Sequence, residues 1–299
     1  MEKFNMHAAA LRRATRLFLL AIMVLLAACS SLQLAYNHGD TLLYWWLDGY
    51  VDLDSDQKPW VKRDIGNFFQ WHRKTQLHDY AQVLQTARRQ LQGTPTEADL
   101  LADYNDIRHR TEQLLLKTLP QLAELARALR PQQIAQVEKK FAANNDDFRH
   151  KNMKGDREHQ LAFRYDKAMD QFELWFGRFS QEQQAAIRQA SDARPLDNAL
   201  WLDERMRRQQ AILALLRQVQ RERLGQDATM ALIRTLIEDG FARRDKSGER
   251  RDFFELYDQG TAQLVLTVIR RATPAQKAHA LKRMQGWIDD FNSLAEQAR

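Results

Sequence analysis

Cysteine is almost missing from this chain: Cys29 is the single thiol in 299 residues. One thiol cannot close an intramolecular disulfide, and it cannot build a cysteine-rich zinc site. Glycine and proline are also scarce, at 11 and 6 residues, so the chain has little material for tight turns. No stretch alternates apolar and polar residues up to a hairpin turn, which argues against strands. A surplus of one charge is missing too. Half of the formal +6 sits in the first 28 residues, where Lys3, Arg12, Arg13 and Arg16 face Glu2 alone, so the rest carries only +3. That balance excludes an obvious electrostatic footprint for nucleic acid. What remains is a 44% hydrophobic chain rich in Ala, Leu, Gln, Glu, Arg and Lys, all good helix formers, and the expectation is an all-α fold.

The first 28 residues read as a secretion signal. A basic start is followed by the apolar run Leu17–Ala28, which is 12 residues long. A membrane-spanning helix needs about 20. The run ends in Leu26-Ala27-Ala28-Cys29, which resembles a bacterial lipobox. Small residues let the peptide bond enter a signal peptidase, and the thiol can carry diacylglycerol through a thioether. The resemblance implies cleavage before Cys29, acylation of its sulfur and new amino group, and membrane lipid as a partner. Each buried methylene contributes about 0.8 kcal/mol, so several acyl chains anchor stably. Ser30 stands where Asp would signal inner-membrane retention, which implies the periplasmic face of the outer membrane. A mature chain whose one sulfur carries lipid leaves no thiol for catalysis.

Residues 29–52 are then a lipidated tether with an aromatic-rich segment, and 53–299 an all-helical domain with residues 150–160 as the candidate internal boundary. The expected architecture is a bundle or cradle of antiparallel helices. Thr94-Pro95-Thr96-Glu97 reads as a capping box opening a helix that runs to near Pro120. The polar stretch 150–160 around Gly155 and the break at 191–197 read as loops. A helix from Asp197 to Leu224 carries Leu202, Met206, Leu213, Leu216 and Val219 on one face. A charged loop surrounds Gly248, and two helices close the chain.

One pattern occurs four times: an apolar residue, a capping-type residue, any two residues, then Gln. The copies are Leu53-Asp54-Ser55-Asp56-Gln57, Leu129-Arg130-Pro131-Gln132-Gln133, Phe179-Ser180-Gln181-Glu182-Gln183 and Ala272-Thr273-Pro274-Ala275-Gln276. Asp54, Ser180 and Thr273 are genuine cap residues, and each Gln occupies the position that reaches back to the cap's own N–H. The copies lie 76, 50 and 93 residues apart, so no fixed-period solenoid is present. The second and fourth copies match further along, in "FAANNDDF" and "GWIDDF". The pattern resembles the L-T-x-x-Q motif of Spy/CpxP-type periplasmic proteins, small helical cradles that hold unfolded clients or sense envelope stress. That resemblance implies protein or peptide clients. The lipobox, "LQLAYNHGDTLLYWWLDGYVDLDSDQK" and the helical repeats after it resemble a family of uncharacterised proteobacterial lipoproteins, a domain of unknown function. It implies an envelope location and a helical fold, and no activity.

Other groups read as structural. Tyr36, Tyr44, Trp45, Trp46, Tyr50, Trp60, Phe68, Phe69 and Trp71 crowd nine of the 28 aromatic residues near the anchor. They read mainly as core, with a membrane or ligand-groove role open for Tyr44 to Trp46. Basic clusters at Arg205, Arg207, Arg208 and at Arg243, Arg244, Lys246, Arg250, Arg251 are interleaved with acids, as on a solvated face. Asp146-Asp147 and Asp289-Asp290 are adjacent pairs that point about 100° apart on a helix, unsuited to acid–base work as couples. His72, His78, His150 and His159 lack metal-motif spacing. No catalytic, metal or cofactor residue is assigned. The functional expectation is a lipid-anchored, non-enzymatic helical module that binds a peptide, protein or lipid. The alternatives are a structural adaptor of an envelope complex or an envelope hydrolase.

Overall fold

The structure is a computed structural model that describes residues 31–242 and 249–297. Cys29, the lipobox residues Leu26, Ala27 and Ala28, Ser30, and Arg243, Arg244 and Lys246 lie outside the described residues. The described residues form thirteen helices and no strand. In chain order they are α1 Ser31–Asn37, α2 Gly39–Val51, α3 Lys58–Thr75, α4 Leu77–Gln92, α5 Glu97–Lys117, α6 Leu119–Ala128, α7 Pro131–Asn152, α8 Arg157–Phe176, α9 Gln181–Asp192, α10 Asn198–Glu222, α11 Gln226–Ala242, α12 Glu249–Arg271 and α13 Pro274–Glu296. None of them is long and apolar enough to cross a membrane.

The chain runs out and doubles back. Helices α4, α5, α6 and α7 pack against α13, α12, α11 and α10 respectively, in reverse order, while α8 and α9, between them in the chain, pack against α13 and α12. The largest core gathers Tyr44 and Val51 of α2, Val61 and Ile65 of α3, Ala123 and Ala126 of α6, Ile134 and Val137 of α7, Leu213 and Val219 of α10, and Ile233 of α11. A second core joins Met169, Phe179, Ile187, Leu264 and Val268. Their spacing at three and four residues along each helix is what lets one face of each enter a core. Residues 31–51 are folded against the body, α1 against α13 and α2 against α3 and α7.

Local signals set the boundaries, with two shifts from the sequence reading. The capping box of α5 is Thr96 with Asp99, not Thr94 with Glu97. Thr96 is extended, its hydroxyl oxygen accepts from Asp99 N at 3.2 Å, and Asp99 accepts from Thr96 N at 2.8 Å. The polar stretch from residue 150 is helical to Asn152, because Lys151 pairs with Asp147 one turn back and a solvated face needs no apolar residues. Gly177, at φ +77°, ends α8 in a conformation L side chains resist.

Candidate functional site

The four Gln motifs form two joints. Each Gln accepts the N–H of its own cap residue through Oε1: Asp54 N at 3.0 Å, Arg130 N at 2.9 Å, Ser180 N at 2.8 Å and Thr273 N at 2.8 Å. Each then reaches across to another copy. Gln57 Nε2 donates to Ala128 O at 2.8 Å and to Gln133 Oε1 at 3.1 Å, while Gln133 Nε2 donates to Asp52 O at 3.0 Å and to Gln57 Oε1 at 2.7 Å. The second pair repeats the scheme. Gln183 Nε2 donates to Arg271 O and Gln276 Oε1, at 2.7 and 2.8 Å. Gln276 Nε2 donates to Arg178 O and Gln183 Oε1, at 2.7 and 3.3 Å. In every case the accepting carbonyl lies five residues before the partner Gln.

This arrangement uses both protons and both acceptor sites of each amide. Glutamate also suits a capping box. It has no proton to donate across the joint at neutral pH, so the crossing selects Gln. Ser180 and Thr273 complete their boxes by accepting from Gln183 N and Gln276 N, both at 3.2 Å. Arg130 has no acceptor, and Asp54 is not the cap expected of it: α3 begins only at Lys58, with Gln57 as its N-cap, and the Asp54 carboxylate pairs instead with Arg130 at 2.7 Å. Four helices begin between the two motif starts of each joint, α3–α6 between Asp54 and Arg130 and α9–α12 between Ser180 and Thr273. A third amide pair bridges α7 and α10: Asn145 Nδ2 donates to Gln209 Oε1 at 2.7 Å and Gln209 Nε2 to Asn145 Oδ1 at 3.1 Å, both residues buried.

The aromatic-rich segment divides. Tyr44 is buried in the main core, with Tyr50, Trp60 and Phe69 against it. Tyr36, Phe68, Trp71 and Tyr80 surround His72, whose Nδ1 lies 2.8 Å from Tyr36 Oη. Burial pushes His72 down to about 4 and Tyr36 up to about 12. Trp45 and Trp46 face outward at 64% and 59% exposure, beside Leu42. Leu42, Trp45, Trp46 and Gly49 fall at i, i+3, i+4 and i+7, one uncovered stripe of α2.

The charged candidates resolve into local pairs. Glu204 is buried and accepts from Arg207 and Arg208 at 2.6–2.8 Å, with Arg250 at 3.3 Å. Burial pushes its carboxyl up, but the hydrogen bonds and charges of Arg207 and Arg208 prevail and hold it at about 2. These basic residues therefore neutralise a buried acid rather than only covering a solvated face. Asp146 pairs with Arg149 and Asp147 with Lys151, both at 2.8 Å, while Asp289 accepts from Gln285 and Asp290 from Gln33. His78 meets Asn292 at 3.2 Å. No cluster of His, Cys, Asp and Glu suited to a metal occurs among the described residues.

A cavity of roughly 370 Å³ lies between α7, α8, α10 and α12, and no sequence motif announces it. Phe148, Phe163, Trp201 and Tyr257 supply apolar walls, and Arg164, Arg194 and Lys167 supply charge. Arg164 fastens the turn after α9, donating to Ser191 O at 2.8 Å, Pro195 O at 2.7 Å and Arg194 O at 3.2 Å. Arg194, 6% exposed, bonds Ser191 Oγ at 3.1 Å and lies over the Tyr257 ring at 5.5 Å. The one available signal was an arginine beside a proline in the break at 191–197, which is too common to single out.

No curated protein and no solved structure matches this chain. Residues 49–233 match the family of unknown function DUF6279. That stretch is more than half of the chain and carries the first joint, Gln183, Arg164 and Arg194, and the chain belongs to this family.

Proposed function

We propose that this chain is a lipid-anchored protein of the cell envelope that binds its ligand without transforming it, on the periplasmic face of the outer membrane. The observation that carries the reading is the outward stripe of Leu42, Trp45 and Trp46 on α2, a short distance along the chain from Cys29. α2 is apolar on both sides, and protein covers only the side that carries Tyr44 and Val51. Tryptophan side chains favour the headgroup level of a bilayer, where an apolar ring and a polar N–H are both satisfied. Acyl chains on Cys29 would bring this stripe to the membrane surface, leaving the rest of the body to meet other molecules. The lipobox supports the anchor, and the helical surface supports a binding role.

Fractionation of cells expressing the wild type and Cys29→Ser tests the anchor. The wild type is expected to stay with the membrane pellet through a high-salt wash, and Cys29→Ser to move to the soluble fraction. A variant that stays as firmly in the pellet contradicts the reading. Crosslinking in cells then tests the binding role: many unrelated unfolded proteins support a client-holding module, and one stoichiometric partner supports the adaptor.

A further inference from the structure

The geometry points to a binding site for a small organic oxyanion, a carboxylate or phosphate monoester on an apolar or aromatic body, in the cavity between α7, α8, α10 and α12. Two arginines, Arg164 and Arg194, line this cavity. Among the described residues neither has a carboxylate within ion-pair distance. Asp192, the acid in the same turn, is engaged by Arg188 at 2.8 Å. Buried charges are ordinarily paired, and two like charges side by side oppose each other. Arg164 is held below its usual range by burial first and by the charge of Arg194 second, and Arg194 is lowered by burial; Tyr257 and the more distant charge of Asp192 offset only part of this at either group.

Capping accounts for part of this. The carbonyls of Ser191, Arg194 and Pro195 lie in the last turn of α9 and the turn that follows it, and a cation there satisfies them and complements the negative end of the helix dipole. One arginine suffices for that role. Arg194 repeats it, with Nε on Ser191 O at 3.4 Å and Nη2 on Ser191 Oγ, while Arg164 Nε is buried with no acceptor. The protein also makes room for the second group. A methyl group at Gly260 of α12 would stand 2.9 Å from Arg194 Cγ, so glycine is what lets α12 pass over that side chain.

The rest of the cavity suits the body of such a ligand. Trp201 and Tyr257 give flat walls. Asn198 is fixed by its bonds to Asn152 O at 2.5 Å and Gln160 Oε1 at 3.0 Å, and presents a preset polar edge. Lys167 stands at the rim, 66% exposed and 3.7 Å from the equally exposed Asp170, a loose pair that leaves it able to draw an anion inward. Guanidinium groups match carboxylate and phosphate oxygens in planar, charge-assisted hydrogen bonds. The volume lies in the range of about 300–1,000 Å³ common for small-molecule sites.

The test is calorimetric titration of the full-length chain with benzoate, phenyl phosphate and neutral benzyl alcohol at constant ionic strength. Both anions are expected to bind at least tenfold more tightly than the alcohol, and the tighter of them identifies a carboxylate or a phosphate as the recognised group. Arg194→Gln is expected to abolish anion binding. Because Arg194 is buried and that variant can unfold, Lys167→Glu at the rim provides the second test, with at least a fivefold loss expected and no change in melting temperature. Binding of benzyl alcohol as tight as that of the anions, no binding of either anion, or an unchanged affinity in Lys167→Glu overturns the inference.

Discussion

The two glutamine joints share a bonding scheme and differ in their surroundings. Gln57 and Gln133 are 2% and 5% exposed, inside the main core. Gln183 and Gln276 make the same crossed bonds where water reaches part of the pair. At the outer joint the hydroxyls of Ser180 and Thr273 complete the caps. At the inner joint no side-chain oxygen does so, and burial with an Asp54–Arg130 ion pair stands in their place. An unmade hydrogen bond is expensive only where water cannot replace it. One motif thus has two energetic settings in one chain, and substitutions can separate them.

The largest effect is expected from a carboxylate in the dry joint. Gln57→Glu removes both crossing donors and sets a negative charge against Gln133 Oε1, so denaturant unfolding should show a loss of about 3 kcal/mol or more. Gln276→Glu does the same where solvent can compensate, and the loss should be about half as large. Equal losses would mean that burial does not distinguish the joints. Lowering the pH should come next. His72, held at about 4 by burial against an ordinary 6.5, stays neutral in the fold while the unfolded chain takes up a proton, so stability falls as pH drops below 6.5. Glu204, held at about 2 against an ordinary 4.5, adds a second loss between pH 4.5 and 2. Glu204→Gln should remove the second phase and keep the first, as read by melting temperature against pH. Ser180→Ala and Thr273→Ala should each cost about 1 kcal/mol, the usual worth of a cap. Asp54→Ala should cost less than about 1 kcal/mol, since its role is a half-exposed ion pair with Arg130.

The all-helical fold was legible from scarce glycine and proline, and most helix starts followed from local chemistry. The misplaced cap at Thr94 arose because two threonines compete there, and only the backbone shows which one is extended. The Gln motifs were visible as caps, but their pairing was not. Capping is local, whereas the joints span 76 and 93 residues. The surviving hint is that all four copies use Gln where Glu would also cap. Nor could periodicity tell that α2 is covered on one side only, with Tyr44 inside and Trp45 and Trp46 outside, because both faces are apolar. The arginine cavity draws on four helices far apart in sequence, and no single segment announces it.

The central claim is that these glutamines bind each other across the fold rather than an outside partner. A double-mutant cycle with Gln57→Ala and Gln133→Ala, followed by denaturant unfolding, tests it most directly. The account predicts that the double variant loses at least about 1 kcal/mol less than the sum of the singles, because either change alone already breaks the shared bonds. Strictly additive losses would contradict it.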